Sequence, residues 1–121
     1  MGLDMSAYVT AEKPLVTVDF KIFQSEELHY WRKHPNLHGW MEALYREKRG
    51  SAESFNCVKL LLSAEDLDRL EADIRKQCLP CTDGPFFGKS DGSEQEDDLA
   101  FVEKSRTAIA DGQTVYYSSW W

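Results

Sequence analysis

Apolar side chains recur along this chain with two periods, and the switches between them mark the elements. Val16, Val18, Phe20 and Ile22 alternate with polar neighbours, which predicts a strand over 15–23 with one polar face. At the N-terminus, Leu3-Asp4 reads as the lead-in to a strand. Ser25 offers an N-cap for a short helix through Glu26, Glu27, Leu28, Tyr30 and Trp31. Pro35 interrupts that helix and, being tolerated at a first helical position, opens a second one through Leu37, Trp40, Met41, Leu44 and Tyr45 that ends near Gly50. Phe55 to Leu62 is a short apolar run, expected as a central strand. Ser63-Ala64-Glu65-Asp66 has the form of a capping box. The helix behind it turns Leu67, Leu70 and Ile74 inward and stops before Pro80. Residues 82–98 form the longest loop, polar apart from Phe86-Phe87-Gly88. A fourth helix uses Leu99, Val102 and Ile109, with Asp97 and Asp98 at its positive N-terminus, and Gly112 ends it. Thr114 to Trp121 closes the chain as an aromatic-rich strand.

The predicted order is strand, helix, helix, strand, helix, long loop, helix, strand. It implies an α+β fold: a small mixed or antiparallel sheet of three to four strands with helices packed on one face. At 121 residues the chain is one domain, too short for two independent cores, and 42% hydrophobic residues give it ample material to bury.

Charge narrows the function classes. Of a net −7, residues 63–112 account for the whole, with thirteen acids against six bases. A duplex-binding domain needs a basic stripe to neutralise phosphates, so general nucleic-acid binding is disfavoured. The acidic half reads as a solvated surface or as a face for a basic protein partner. No apolar run approaches the ~18 residues that span a bilayer, and no signal sequence is read at the N-terminus, so the expected location is the cytoplasm. The three cysteines, Cys57, Cys78 and Cys81, are an odd count and read as free thiols. Cys78-Leu79-Pro80-Cys81 has redox spacing but follows a helix instead of opening one, and it lacks further ligands for zinc. No cofactor and no metal are implied.

Four segments carry a resemblance: Met1-Gly2-Leu3-Asp4-Met5; Tyr30-Trp31-Arg32-Lys33 with His38 and Trp40; Leu79-Pro80 leading to Gly84 and Phe86-Phe87-Gly88; and Tyr116-Tyr117-Ser118-Ser119-Trp120. In order and spacing they resemble a widespread family of small proteins of bacteriophages and prophages, members of which often carry the label phosphoglycerate kinase. This chain has no strand-to-glycine-rich-loop phosphate motif and is far too short for that two-domain enzyme. Cys78, Cys81 and Pro85 depart from the family pattern. The resemblance implies a phage context, in the host bacterial cytoplasm, and no particular activity.

Within that context the sequence offers two binding sites and a weaker catalytic one. Trp31, Arg32, His38, Trp40, Phe86, Phe87, Tyr117 and Trp120 are expected to converge as an Arg–aromatic pocket for a phosphorylated or nucleotide-like ligand, since a guanidinium grips phosphate bidentately and indole faces stack bases. The competing reading has Arg32 paired with an acid of the C-terminal helix and the aromatics filling the core. Glu94, Glu96, Asp97 and Asp98 are the expected partner-binding acids, an anti-CRISPR-like face that blocks a host defence protein. A hydrolase or transferase using His38, with Ser118 or Ser119 as nucleophile, requires strand and helix to abut. No strand–turn–helix nucleophile elbow is read. Host manipulation or evasion of host defence by binding is the leading expectation.

Overall fold

The computed structural model describes residues 2–82, 84 and 88–121. Four strands, β1 (Asp4–Thr10), β2 (Glu26–Arg32), β3 (Leu60–Leu62) and β4 (Thr114–Trp120), form one antiparallel sheet in the order β2-β1-β4-β3. Among the described residues there are three helices, α1 (Pro35–Glu47), α2 (Ala64–Arg75) and α3 (Gln95–Ala110). The fold class is α+β as expected, with the sheet wholly antiparallel.

Register explains how the sheet has two unlike faces. Met5 pairs with Trp31 and Ser119, and Ala7 with His29 and Tyr117, so these residues share the face that α1 and α3 cover. Leu60 and Leu62 continue it. Trp31 meets Phe101 of α3 at 4.7 Å between ring centroids, and Tyr117 meets His38 of α1 at 6.1 Å. Leu37, Met41, Tyr45, Leu67 and Leu70 are fully buried and join the same core. The other face carries Asp4, Tyr8, Tyr30, Arg32, Tyr116 and Trp120. Tyr8 and Tyr116 stack there at 5.2 Å and Phe20 meets Tyr116 edge-on.

Three predicted elements are corrected. Residues 15–23 are not a strand: Val18 makes a single bridge to Leu60, and Asp19 then takes a left-handed φ of 55°. Asp tolerates that conformation, and its carboxylate accepts the Tyr45 hydroxyl at 2.7 Å. Of the apolar side chains counted in the alternation, Phe20 is buried while Val16 is exposed. Residues 26–32 are strand β2 and not a helix. Pairing with β1 overrides local helix preference here, because alternation puts His29 and Trp31 inward and Tyr30 and Arg32 outward. Finally, the strand within 55–62 shrinks to Leu60–Leu62 at the sheet edge. Cys57, with a φ of 60°, bends the chain ahead of it, and Phe55 packs into the core on its own.

The remaining elements form where the sequence put them. Pro35 sits in the first turn of α1. Ser63 and Asp66 make the reciprocal cap of α2. Gly112, at φ 84°, stops α3. α3 begins four residues earlier than the first apolar contact suggested, placing Glu96, Asp97 and Asp98 in its first turn.

Candidate functional site

β-strand alternation divides the residues expected to form one pocket. Trp31, His38 and Tyr117 meet in the interior. Arg32 and Trp120 lie on the opposite face of the sheet, where each is the cross-strand partner of Asp4. Arg32 is more than half exposed and its Nε stands 3.8 Å from the Asp4 carboxylate, so its partner is an acid of β1, not of the C-terminal helix. Trp40 donates its indole N–H to Asp73 of α2 at 2.8 Å. Phe86 and Phe87 lie outside the described residues. The expected convergence on Arg32 therefore does not occur among the described residues.

His38 is buried, and burial pushes its imidazole down to about 4. Its Nδ1 lies 2.7 Å from the Tyr117 hydroxyl, whose own ionisation is driven far upward by complete burial. Ser119 shares this face and bonds Tyr117, while Ser118 points to the other face. A tyrosine hydroxyl thus stands between the expected base and the expected nucleophile.

The acids expected at the partner surface lead instead to a cleft. The N-terminal ends of α1 and α3 meet at a cleft of about 260 Å³. His34, Asn36, Ser90, Asp91, Glu94 and Asp98 line its polar side, and Ile74 and Leu79 its apolar side. Lysine and arginine are absent from its described lining, whereas three carboxylates are present. Glu96 and Asp97 lie beside Asp98 on the first turn of α3, exposed, with Asp97 bonded to His29 at 3.0 Å.

The floor of this cleft is an ordered chain of polar contacts. Asp98 is almost wholly buried, and one of its oxygens accepts the Trp31 indole N–H at 3.0 Å. Its other oxygen lies 2.8 Å from Nε2 of His34, also buried. A carboxylate only accepts, so Nε2 carries the hydrogen, and in the neutral ring Nδ1 is then the acceptor. Ser90 Oγ stands 2.6 Å from that Nδ1 and accepts the Asn36 backbone N–H at 3.1 Å. Glu94 approaches the same ring nitrogen at 3.8 Å. At the rim, Asp91 accepts from the Ser93 hydroxyl and amide, which hold its carboxyl below the usual carboxylate range.

Glycines set the loop that carries Ser90. Gly88 has φ 76° and approaches Lys33 so closely that a Cβ would stand 3.0 Å from the Lys33 Cβ; Gly92 has φ 91°. Both conformations disfavour any side chain. Sequence reasoning placed Asp98 among the partner-binding acids, but did not single out Ser90, Asn36 or Asp91. A signal for them existed: Gly88-Lys89-Ser90-Asp91-Gly92 has G-x-S-x-G spacing. In the sequence it lies in a polar loop and not in a strand-to-helix elbow, so the spacing alone does not mark a nucleophile.

Among the described residues no helix is long and apolar enough to cross a membrane. No protein family matches the chain, and no curated protein and no solved structure is significantly similar to it.

Proposed function

We propose that the protein acts by binding, and that it takes a cationic group of a partner protein into the cleft between the first turns of α1 and α3. The observation that carries this reading is the composition of the cleft: Asp91, Glu94 and Asp98 line it with no described lysine or arginine. A guanidinium or ammonium entering there meets carboxylates already placed, and the exposed Glu96 and Asp97 extend the same sign outward. The resemblance to phage-encoded proteins supplies the setting, an accessory protein in the host cytoplasm that blocks a host defence protein through its acidic end. A phosphorylated ligand is the less favoured partner, because Arg32 faces away from Trp31 and His38 and is occupied by Asp4.

An arginine-rich peptide tests the reading, with its citrulline counterpart as control. Wild-type protein should bind the arginine form, more weakly as salt rises. Charge reversal at Glu94, Glu96 and Asp97 should lower affinity by about three- to fivefold per residue, as expected for partly exposed pairs. Arg32→Ala should leave it unchanged. Equal affinity for the two peptides sinks the proposal; loss of binding to a nucleotide on Arg32→Ala would restore the phosphate reading.

A further inference from the structure

We propose that Ser90 is a nucleophile, activated by His34 and Asp98, and that the cleft cleaves small carboxylic esters, preferentially those carrying a positive charge. The inference goes beyond binding and rests on the cleft being the place where a ligand enters. Its ground is the run of contacts from Asp98 through His34 to Ser90, at 2.8 and 2.6 Å, with the carboxylate and the imidazole both buried and Ser90 at the wall of the cleft. Such a constellation is recognised by geometry and roles, not by order in the chain.

The proton positions have the polarity that nucleophilic catalysis needs. Asp98 fixes the hydrogen on Nε2, which leaves Nδ1 free to accept the Ser90 proton. Relative to the common arrangement the two ring nitrogens exchange jobs, and a base needs only one nitrogen toward each partner. Trp31 holds the second oxygen of Asp98, so the carboxylate cannot rotate away from the ring without losing a hydrogen bond. Gly88 and Gly92 supply the two left-handed backbone positions on either side of the serine. Were Ser90 only a cap for α1, its acceptance of the Asn36 N–H would suffice; a cap has no need of a buried imidazole–carboxylate pair behind it.

In the reaction, Ser90 Oγ forms a bond to the ester carbonyl carbon as its proton passes to His34 Nδ1. The carbonyl π electrons move to oxygen, while the Asn36 N–H holds Ser90 Oγ in position through a lone pair that the attack does not use. Collapse of this intermediate breaks the bond to the alcohol, which leaves with the proton from Nδ1. Water then adds to the acyl group, gives a proton to Nδ1, and releases the acid as Ser90 recovers its hydrogen. Glu94 and Asp91 stand where a cationic part of the substrate would rest.

A fluorophosphonate probe, read by mass spectrometry of the peptide containing Ser90, tests the proposal together with hydrolysis of a blocked arginine methyl ester and its uncharged norleucine analogue. Native protein should acquire one adduct at Ser90, lose it in Ser90→Ala, and keep it in Ser118→Ala, whose serine lies on the sheet. His34→Gln should slow labelling at least tenfold. Should that variant unfold, the wild-type pH profile carries the same information, since the rate must rise with loss of a single proton. The arginine ester should be cleaved faster than the norleucine ester. Labelling of Ser90 no faster than in urea-unfolded protein overturns the inference, and if arginine-rich peptide still binds, only the inference falls. Absent peptide binding with Ser90 labelled removes the binding reading instead.

Discussion

His38 and Tyr117 lie 2.7 Å apart beneath α1, and neither side chain is exposed enough to exchange its hydrogen bond for water. Burial holds the imidazole neutral, down to about 4 from 6.5. The unfolded chain therefore binds a proton that the folded protein refuses. Above about pH 6.5 both states are neutral at this residue and it adds no pH dependence. As pH falls from there to about 4, the unfolded state gains the proton first and stability drops, by roughly 3 kcal/mol at most. Urea titrations at pH 7 and pH 4.5 should show this loss, and His38→Gln should flatten it; an equal slope in both proteins would mean that other groups carry the effect. The histidine was visible in the sequence as a candidate, but its burial was not. Which of three histidines sits in a cleft and which in a core depends on distant residues: Ser90 and Asp98 for His34, Tyr117 for His38.

Element boundaries were legible wherever a local hydrogen bond sets them. Ser63 accepts from the Asp66 amide and Asp66 accepts from the Ser63 amide, a pattern contained within four residues. Ser63→Ala should cost about 1 kcal/mol, seen as a lower urea midpoint with unchanged slope. A change below the error of the measurement would mean that Lys48, which reaches Asp66 and the Leu61 carbonyl, holds the turn alone. Strand β2 shows the opposite case. Nothing within residues 26–32 chooses strand over helix, because Leu28 and Trp31 satisfy a helical period equally well. The choice is made by β1, whose residues from Asp4 to Val9 pair with β2 across one bulge that skips Leu28. Residues 15–23 err the other way. Their alternation is sound, yet the left-handed turn at Asp19 ends pairing after a single bridge.

Across the molecule, the first and last strands are neighbours in the sheet, and residues from Leu3 to Tyr117 share one core. Such pairing ties the first and last strands into one core, so unfolding should be cooperative. Far-ultraviolet circular dichroism, which follows the helices, and near-ultraviolet signal from the buried tryptophans should give one coincident urea transition. Separate midpoints would show that the sheet and the helical layer come apart independently. The α+β class was readable at this scale because it needs only the mixture of periods. A site assembled from β2, α1, the loop through Ser90 and α3 was not, since its members are up to 67 residues apart and meet only through tertiary packing.

Trp31 ties the sheet to the cleft through one indole N–H. The absorption and emission of an indole shift with the field along that bond, and a cationic guest in the cleft adds its own field to that of Asp98. The molecule thus contains its own optical gauge: a cation entering the cleft should shift the emission of a ring buried on the far side of the carboxylate. No label need be attached to watch the site at work.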